Sequence, residues 1–168
     1  FVPQIAIIID DIGYDKELTM DLLNIDKNIT FAILPFSPAG TQLAHSLSAK
    51  GAELMLHLPM EPTEYPKVNP GPGALFSKMS PEELLTQLRK DIHAIPGTVG
   101  VNNHMGSRLT ADSDKMNQIL SSLKLTGQEK VLDIGCANGI LPYLIQDRVS
   151  ELHCFEKNSN YLAEAKKI

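Results

Sequence analysis

The chain has 168 residues, of which 43% are hydrophobic and 21% charged, and its formal net charge at pH 7 is −5. This length suits one α/β domain with a sizeable core and is too short for two full domains. The acidic balance and the lack of a Lys/Arg cluster argue against a nucleic-acid or anionic-membrane surface. No apolar run approaches the roughly 20 residues that a bilayer span needs, so we expect no membrane span.

Strand and helix patterns alternate along the chain. Short, apolar, β-branched runs predict strands at residues 5–10, 29–34, 52–57, 98–101, 130–134 and 151–155. Amphipathic runs predict helices at residues 16–24, 40–50, 81–93, 114–124, 140–147 and 160–167. A long loop rich in proline and glycine, LPMEPTEYPKVNPGPG, separates the third strand from the third helix. Repeated βα units predict an α/β fold with a mainly parallel sheet and right-handed crossovers.

Titratable side chains cluster at the ends of the predicted strands. Asp10 and Asp11 end the first strand, His57 ends the third, and His104 follows the fourth, with Asn102, Asn103 and Arg108 beside it. In parallel α/β sheets, sites gather at the carboxyl ends of the strands. One carboxylate and two imidazoles are the usual ligands of a catalytic zinc ion with an open position. A second carboxylate beside the first can act as a general base, and a divalent cation would relieve the repulsion between two adjacent acids.

Each of these residues also has a simpler interpretation. Asp10 or Asp11 could be only the N-cap of the next helix, because an aspartate often caps a helix after a strand. His57 alone could be a packed, hydrogen-bonded histidine. His45 and His93 lie in predicted helices, and we interpret them as surface residues. The evidence for a site is therefore the convergence of several residues on one end of the sheet.

Four stretches of the chain resemble the divergent polysaccharide deacetylase family, a branch of the NodB-like carbohydrate esterase superfamily. They are IAIIIDDIGYD, ITFAILPFSP, GAELMLHLPMEP and PGTVGVNNHMGSRLT, and the resemblance covers about residues 1–122. It implies a distorted or incomplete (β/α) barrel that binds a divalent metal, with zinc as the expected ion. It further implies an extracytoplasmic location.

The resemblance also implies a set of metal ligands. Asp11 matches the first ligand of the superfamily, and His57 stands where its HxxxH pair begins. Glu61 takes the place of the second histidine of that pair, unless it is merely a solvated loop residue. His104 would then supply the missing imidazole. The implied ligand set is Asp11, His57 and His104.

The implied reaction removes an acetyl group from an N- or O-acetylated sugar, so the expected partner is an acetylated glycan. By analogy with the superfamily, Asp10 resembles the catalytic base and Arg108 the residue that orients it. The superfamily also has a late histidine that acts as general acid. Beyond residue 122 the only candidate is His153.

The last part of the chain resembles a different family. From Leu125, the stretch LTGQEKVLDIGCANGILPYL is similar to the first motif of class I S-adenosylmethionine-dependent methyltransferases. The resemblance implies that Asp133, Gly135, Gly139 and Glu156 would contact the cofactor. The alternative is a plain strand-to-helix turn, because one glycine-rich turn is weak evidence. Cofactor binding is not the expected outcome, since a methyltransferase domain needs several more strands.

The charge distribution agrees with a join near residue 123. Residues 1–122 carry nine Lys/Arg and fourteen Asp/Glu, whereas residues 123–168 carry six of each. We therefore predict a chimera of a deacetylase-like region, 1–122, and a methyltransferase-like segment, 123–168, packed into one domain. The predicted function is that of a metal-dependent, deacetylase-like hydrolase. The alternatives are a non-catalytic α/β scaffold and a weak S-adenosylmethionine-binding module, and the sequence leaves the oligomeric state open.

Overall fold

A computed structural model describes residues 6–123, 127–128, 130–134 and 146–155 of the chain. The strands are β1 (Ile8–Ile12), β2 (Thr30–Ile33), β3 (Glu53–Met60), β4 (Gly100–Met105), β5 (Lys130–Ile134) and β6 (Glu151–Phe155). The helices are α1 (Lys16–Ile25), α2 (Gly40–Ala49), α3 (Pro81–Ala94) and α4 (Ser113–Ser122), and a short 3-10 helix spans Leu109–Ala111. Among these described residues, no helix is both long and apolar enough to cross a bilayer.

The predicted α/β class is confirmed. Strands β1 to β4 form one parallel sheet in the order β1-β2-β3-β4, with a helix in each connection between successive strands. In the described part of the chain this sheet does not close into a barrel. Strands β5 and β6 pair in parallel as a separate two-stranded sheet. The helix predicted at 160–167 and residues 140–145 of the one at 140–147 lie outside the described residues.

The core lies between the four-stranded sheet and its helices. All four residues of β2 are buried, as expected for a central strand covered on both faces. The fully buried large side chains come from β2, β3, the helices and the loops between them: Phe31, Ile33, Leu47, Leu54, Leu56, Leu58, Leu75, Leu84, Leu88, Ile95, Leu109 and Ile119. Burial of one such side chain contributes roughly 1.5–3 kcal/mol. This packing holds the carboxyl ends of β1 to β4 in place.

The segment after residue 123 contacts this core. Val149 and Leu152 are partly buried against the main hydrophobic cluster. The Nη1 atom of Arg148 donates a hydrogen bond of 3.3 Å to Oγ of Ser121 at the end of α4. The described part of the segment is therefore attached to the first part of the chain.

Two helix starts follow the expected chemistry. Ser80 and Glu83 form a reciprocal capping box at the start of α3, and Pro81 is its first residue. The N-cap of α1 is Asp15, whose carboxylate accepts a hydrogen bond from the backbone N–H of Leu18. The alternative interpretation of Asp10 or Asp11 as the cap of α1 is therefore wrong.

Strands β1, β3 and β4 all extend further toward the site than the sequence patterns predict. Strand β1 continues to Ile12 and β3 continues past His57 to Met60. Strand β4 contains His104, which the sequence patterns place in the following loop. Polar residues such as Asn and His are poor signals for a strand. They belong to one here because β4 pairs with β3 in a continuous parallel register from Gly100 to Met105. The site histidines therefore stand on regular strands rather than on loops.

Candidate metal centre

An irregularity in β1 brings two adjacent carboxylates to the same place. The register of β1 against β2 shifts between Ile9 and Ile12, and Asp11 has a positive φ of 59°. In a regular strand, neighbouring side chains point to opposite faces of the sheet. A bulge with one left-handed residue removes this alternation and re-aims a side chain. Such backbone strain is typical of functional sites.

Strands β3 and β4 supply three further polar side chains. His57 and Asn102 are direct partners in the parallel register, and His104 lies two residues beyond Asn102. Because side chains alternate along a strand, these three share one face of the sheet. The rings of His57 and His104 meet edge to face, with 4.9 Å between their centroids. The regular part of the sheet therefore positions both imidazoles.

Asp11, His57 and His104 form a compact cluster. The Oδ1 atom of Asp11 lies 3.2 Å from Nε2 of His57 and 2.9 Å from Nδ1 of His104. These two ring nitrogens are 3.2 Å apart. In the described part of the chain, this is the one group of three or more acidic, cysteine or histidine side chains arranged to hold a metal ion. It contains the three ligands predicted from the sequence.

The spacing of these three atoms fits zinc. Zinc bonds to nitrogen and oxygen are about 2.0–2.2 Å long, so neighbouring ligand atoms of a tetrahedral site lie about 3.3 Å apart. The three observed distances of 3.2, 2.9 and 3.2 Å form a triangle of nearly that size. One of these two ring nitrogens can donate a hydrogen bond to the other, and a bound cation would take the place of that proton. The donor set and its geometry therefore suit a divalent metal.

Burial favours the neutral, metal-binding form of one imidazole. The pKa of His104 is lowered, first by burial and then by the neighbouring His57, while Asp11 acts in the opposite direction. His57 is only 3% exposed. Metal ions bind neutral imidazole, so a lowered pKa leaves His104 ready to bind a cation at neutral pH.

Asp10 lies beside this triad and is held by Asn102. Its Oδ1 atom accepts a hydrogen bond of 2.8 Å from Nδ2 of Asn102 and lies 3.7 Å from Nδ1 of His57. The side chain of Asp10 is half exposed. Among the described residues, no hydrogen bond reaches its other carboxylate oxygen, which can therefore accept a proton. The sequence pattern places Asn102 beside His104 but indicates no role for it, and only the register of β4 against β3 identifies one.

Glu61 and Arg108 interact with each other rather than with the triad. Glu61 is buried, and its Oε2 atom accepts hydrogen bonds from the backbone N–H and the hydroxyl of Ser77, at 2.7 and 2.6 Å. Arg108 lies 3.4 Å from Oε1 of Glu61 and donates to the carbonyl of Thr63. The alternative of a solvated Glu61 is wrong. The structure does not bring Arg108 into contact with Asp10, because the contacts of Asp10 run to Asn102 and His57.

A cavity of about 230 Å³ opens beside the triad. Its lining includes Asp11, His104, Tyr14 and the loop segment Asn69, Pro70, Gly71 and Pro72. A larger groove of about 840 Å³ runs along α3, but Lys and Glu side chains line it and it holds no histidine. The smaller cavity is the one in contact with the candidate metal centre.

The predicted cofactor residues of the last segment cannot be placed. Gly135, Gly139 and Glu156 lie outside the described residues, as does the side chain of Asp133, whose backbone belongs to β5. His153 stands on β6, and its side chain is likewise outside the described part.

The fold and the site together define an α/β protein with a candidate metal centre at the carboxyl ends of a parallel sheet. Comparison with known families gives a closer classification. The family model for divergent polysaccharide deacetylases matches residues 7–133. This is more than half of the chain, which therefore belongs to that family. The match runs past the join predicted near residue 123, and the comparisons give no evidence of a methyltransferase segment.

Two curated relatives match over 121 residues, or 72% of this chain. The uncharacterized protein YibQ of Escherichia coli is 32% identical, and an uncharacterized protein of Haemophilus influenzae is 28% identical. The matched region covers 37% and 42% of these relatives, so the chain spans about two fifths of their length.

A solved structure has a similar fold. The crystal structure of the uncharacterized protein ATU2773 from Agrobacterium tumefaciens matches with a TM-score of 0.68 at 16% sequence identity. The match covers 96% of this chain and 80% of that protein. At this identity the likeness supports the α/β fold alone.

Proposed function

We propose that this chain is a metal-dependent hydrolase that removes acetyl groups from N- or O-acetylated sugars, with zinc held by Asp11, His57 and His104. The observation that carries the proposal is the triangle of ligand atoms, 2.9 to 3.2 Å on each side. When bound, a zinc ion would activate water and polarise the acetyl carbonyl. Family membership supports the substrate class.

Asp10 is the candidate general base in this proposal. It is half exposed, adjacent in sequence to the ligand Asp11, and oriented by Asn102. A base must lie within hydrogen-bond reach of the proton that it removes. Asp10 lies beside the triad, with its Oδ1 atom 3.7 Å from Nδ1 of His57, and in this proposal it acts on a water molecule held there. It would accept a proton from that water and return it to the departing sugar oxygen or nitrogen.

The cavity beside the triad is the candidate substrate entrance. Tyr14 on one wall is 62% exposed and presents an aromatic ring near Asp11. The loop segment in the lining, Asn69–Pro72, has backbone and amide groups that sugar hydroxyls could bind. Its volume of about 230 Å³ suits one sugar residue or an acetyl group with part of its ring, rather than a large drug-like ligand.

Acetate release from acetylated oligosaccharides, measured with and without zinc, tests the proposal. We expect zinc-dependent release by the unaltered chain. Asp10→Asn should retain zinc and lose about 10²- to 10⁴-fold in rate, the usual contribution of a general base. Asp21→Asn is the matched control, because Asp21 is an exposed aspartate on α1. If the chain binds zinc but releases no acetate from any acetylated glycan, the proposed catalysis is wrong. The alternative of a non-catalytic scaffold would then be favoured.

We further propose that residues 123–168 belong to the same domain as the rest of the chain. The contacts of Val149, Leu152 and Arg148 support this organisation. Limited proteolysis tests it: one domain should resist cleavage between residues 120 and 135, whereas early cleavage there would indicate a separate segment. S-adenosylmethionine binding is not part of the proposal.

We also propose an extracytoplasmic location, as the resemblance noted in the sequence implies. Fractionation of cells that express the full-length natural protein would test it. Recovery of the protein only from the cytoplasm would contradict it.

A further inference from the structure

Asn102 connects the candidate base to one of the candidate metal ligands. Its side-chain amide donates from Nδ2 to Oδ1 of Asp10 at 2.8 Å, and its Oδ1 atom lies 2.9 Å from Nδ1 of His57. His57 and Asn102 face each other across β3 and β4. Asp10 is 92 positions away in the sequence and comes from β1 on the far side of β2. One amide therefore links three strands of the sheet.

The chemistry of the two partners determines which way this amide faces. An ionised carboxylate only accepts hydrogen bonds, so the NH₂ group of Asn102 must point to Asp10. The amide oxygen then points to His57, and an amide oxygen only accepts. Nδ1 of His57 must therefore carry a proton.

A neutral imidazole carries one proton, so this arrangement leaves Nε2 of His57 with a free lone pair. Nε2 is the nitrogen that lies 3.2 Å from Oδ1 of Asp11 and 3.2 Å from Nδ1 of His104. The lone pair is thus directed into the triad, where a cation would bind. The opposite tautomer would place an N–H there and would block coordination by His57.

We propose that Asn102 is a positioning residue that selects the Nδ1–H tautomer of His57 and at the same time orients Asp10. The inference rests on the proposed metal site and deepens it, because it gives one residue control over both a ligand and the base. Removal of a residue that hydrogen-bonds to a metal ligand, without contacting the metal itself, typically lowers metal affinity by about 10- to 100-fold.

The chain offers two informative substitutions and a matched control. Asn102→Leu removes both hydrogen bonds with little change in volume. Asn102→Asp keeps an acceptor for Nδ1–H of His57 but loses the donor to Asp10. Asn103→Leu is the control, because Asn103 is the neighbouring residue of β4 and, among the described residues, its amide donates to the carbonyl of Met105 and to no other group.

The tautomer is measurable without any metal, by ¹⁵N NMR of histidine-labelled protein at about pH 8.5, well above the ordinary imidazole pKa of about 6.5. We expect the Nδ1–H form of His57 in the unaltered chain, in Asn102→Asp and in Asn103→Leu. We expect Asn102→Leu to populate the Nε2–H form. If Asn102 had a merely structural role, Asn102→Asp and Asn102→Leu would not differ in the tautomer of His57.

Zinc titration of the same proteins gives the second readout. We expect Asn102→Leu to weaken zinc binding by about 10- to 100-fold and Asn103→Leu to leave the affinity unchanged. The inference is overturned if metal-free His57 is already in the Nε2–H form, or if Asn102→Leu alters neither tautomer nor affinity. If the tautomer responds as expected and no variant binds zinc, the proposed metal function fails while the role of Asn102 stands.

Discussion

Asp11 and His104 approach within 2.9 Å, measured between Oδ1 and Nδ1, although they lie on the two edge strands of the four-stranded sheet. In a flat sheet, three strand spacings would place β1 and β4 about 14 Å apart. An aspartate and a histidine are too short to meet across that distance. The sheet is therefore curved around this site, as in a barrel wall. Curvature of the sheet, more than any single loop, assembles the triad.

The three candidate ligands should each be needed for zinc binding. Asp11→Asn or His104→Ala removes one corner of a three-ligand site, so each should weaken zinc binding by more than about 100-fold, beyond the effect of losing an outer partner. Isothermal titration with zinc measures this. His45→Ala is the matched control, because His45 lies exposed on α2. An Asp11→Asn variant with unchanged zinc affinity would contradict the assignment of the site.

The loop that lines the cavity depends on a glycine at position 73. Gly73 has a φ of +82°, and a Cβ atom there would lie 2.6 Å from Oδ1 of Asp91 and 3.1 Å from Cγ of Pro35. Gly71 also has a positive φ, +92°, but a Cβ there would meet nothing within 4 Å. In both alanine variants the positive φ lowers the free energy of unfolding by about 1–2 kcal/mol. Gly73→Ala adds a steric clash to this cost, whereas Gly71→Ala does not.

We expect Gly73→Ala to lose about 1–3 kcal/mol more free energy of unfolding than Gly71→Ala, the usual range for overpacking. Urea denaturation of both variants measures the difference. Equal losses would show that the loop moves to accept the methyl group and that its packing against Asp91 and Pro35 is unimportant.

Glu61 should stabilise the fold by joining two loops. Its carboxylate accepts two hydrogen bonds from Ser77, and its backbone carbonyl accepts from the N–H groups of Arg108 and Leu109. Glu61→Gln leaves the backbone bonds intact but removes the charge and one acceptor from a buried position. Hydrogen bonds to charged groups contribute about 1.5–3 kcal/mol, while the Arg108 pair, half exposed on the arginine side, contributes little.

We therefore expect Glu61→Gln to lower the free energy of unfolding by about 1–3 kcal/mol. Glu82→Gln, on the exposed first turn of α3, should change it by no more than about 1 kcal/mol. If urea unfolding gave the two variants the same stability, Glu61 would have no special role in holding the loops.

Asp91 should make stability depend on pH. It is fully buried on α3, and within the described part of the chain its Oδ2 atom has no hydrogen-bond partner. Burial raises its pKa from 3.8 to about 7, although a hydrogen bond from Gln87 and the charge of Lys90 act the other way. The folded chain therefore binds this proton more tightly than the unfolded chain. The stabilising effect of the neutral form is complete below about pH 4 and is lost as pH rises to about 7.

Each pH unit corresponds to about 1.36 kcal/mol, so Asp91 should lower the free energy of unfolding of the natural chain by about 2–3 kcal/mol as the pH rises from 5 to 7. Asp91→Asn carries no such proton, so its stability relative to the natural chain should rise by that amount over the same interval. Denaturation at a series of pH values measures the difference, with the exposed Asp21→Asn as control. A stability difference that does not change with pH would show that Asp91 is already ionised in the folded chain.

The sequence by itself determined the order of strands and helices, the parallel class of the sheet, and the residues of the triad. These features are local or periodic: apolar β-branched runs, the capping box at Ser80, and polar residues at strand ends. Once the sheet is known to be parallel, the convergence of Asp11, His57 and His104 follows from topology. The same patterns misplaced His104 in a loop, because an Asn-Asn-His run carries no strand signal.

Only the tertiary structure decided which side chain each site residue contacts and how Asp10 and Asp11 reach the same site. The bulge at Asp11 allows two neighbouring carboxylates to reach one site, and no periodicity in the sequence encodes a bulge. The pairing of Asn102 with His57 depends on the register of β3 and β4, and that of Glu61 with Arg108 on how two loops pack. Such contacts join residues far apart in the chain. They are decided by register, curvature and packing, which the sequence specifies only through the whole fold.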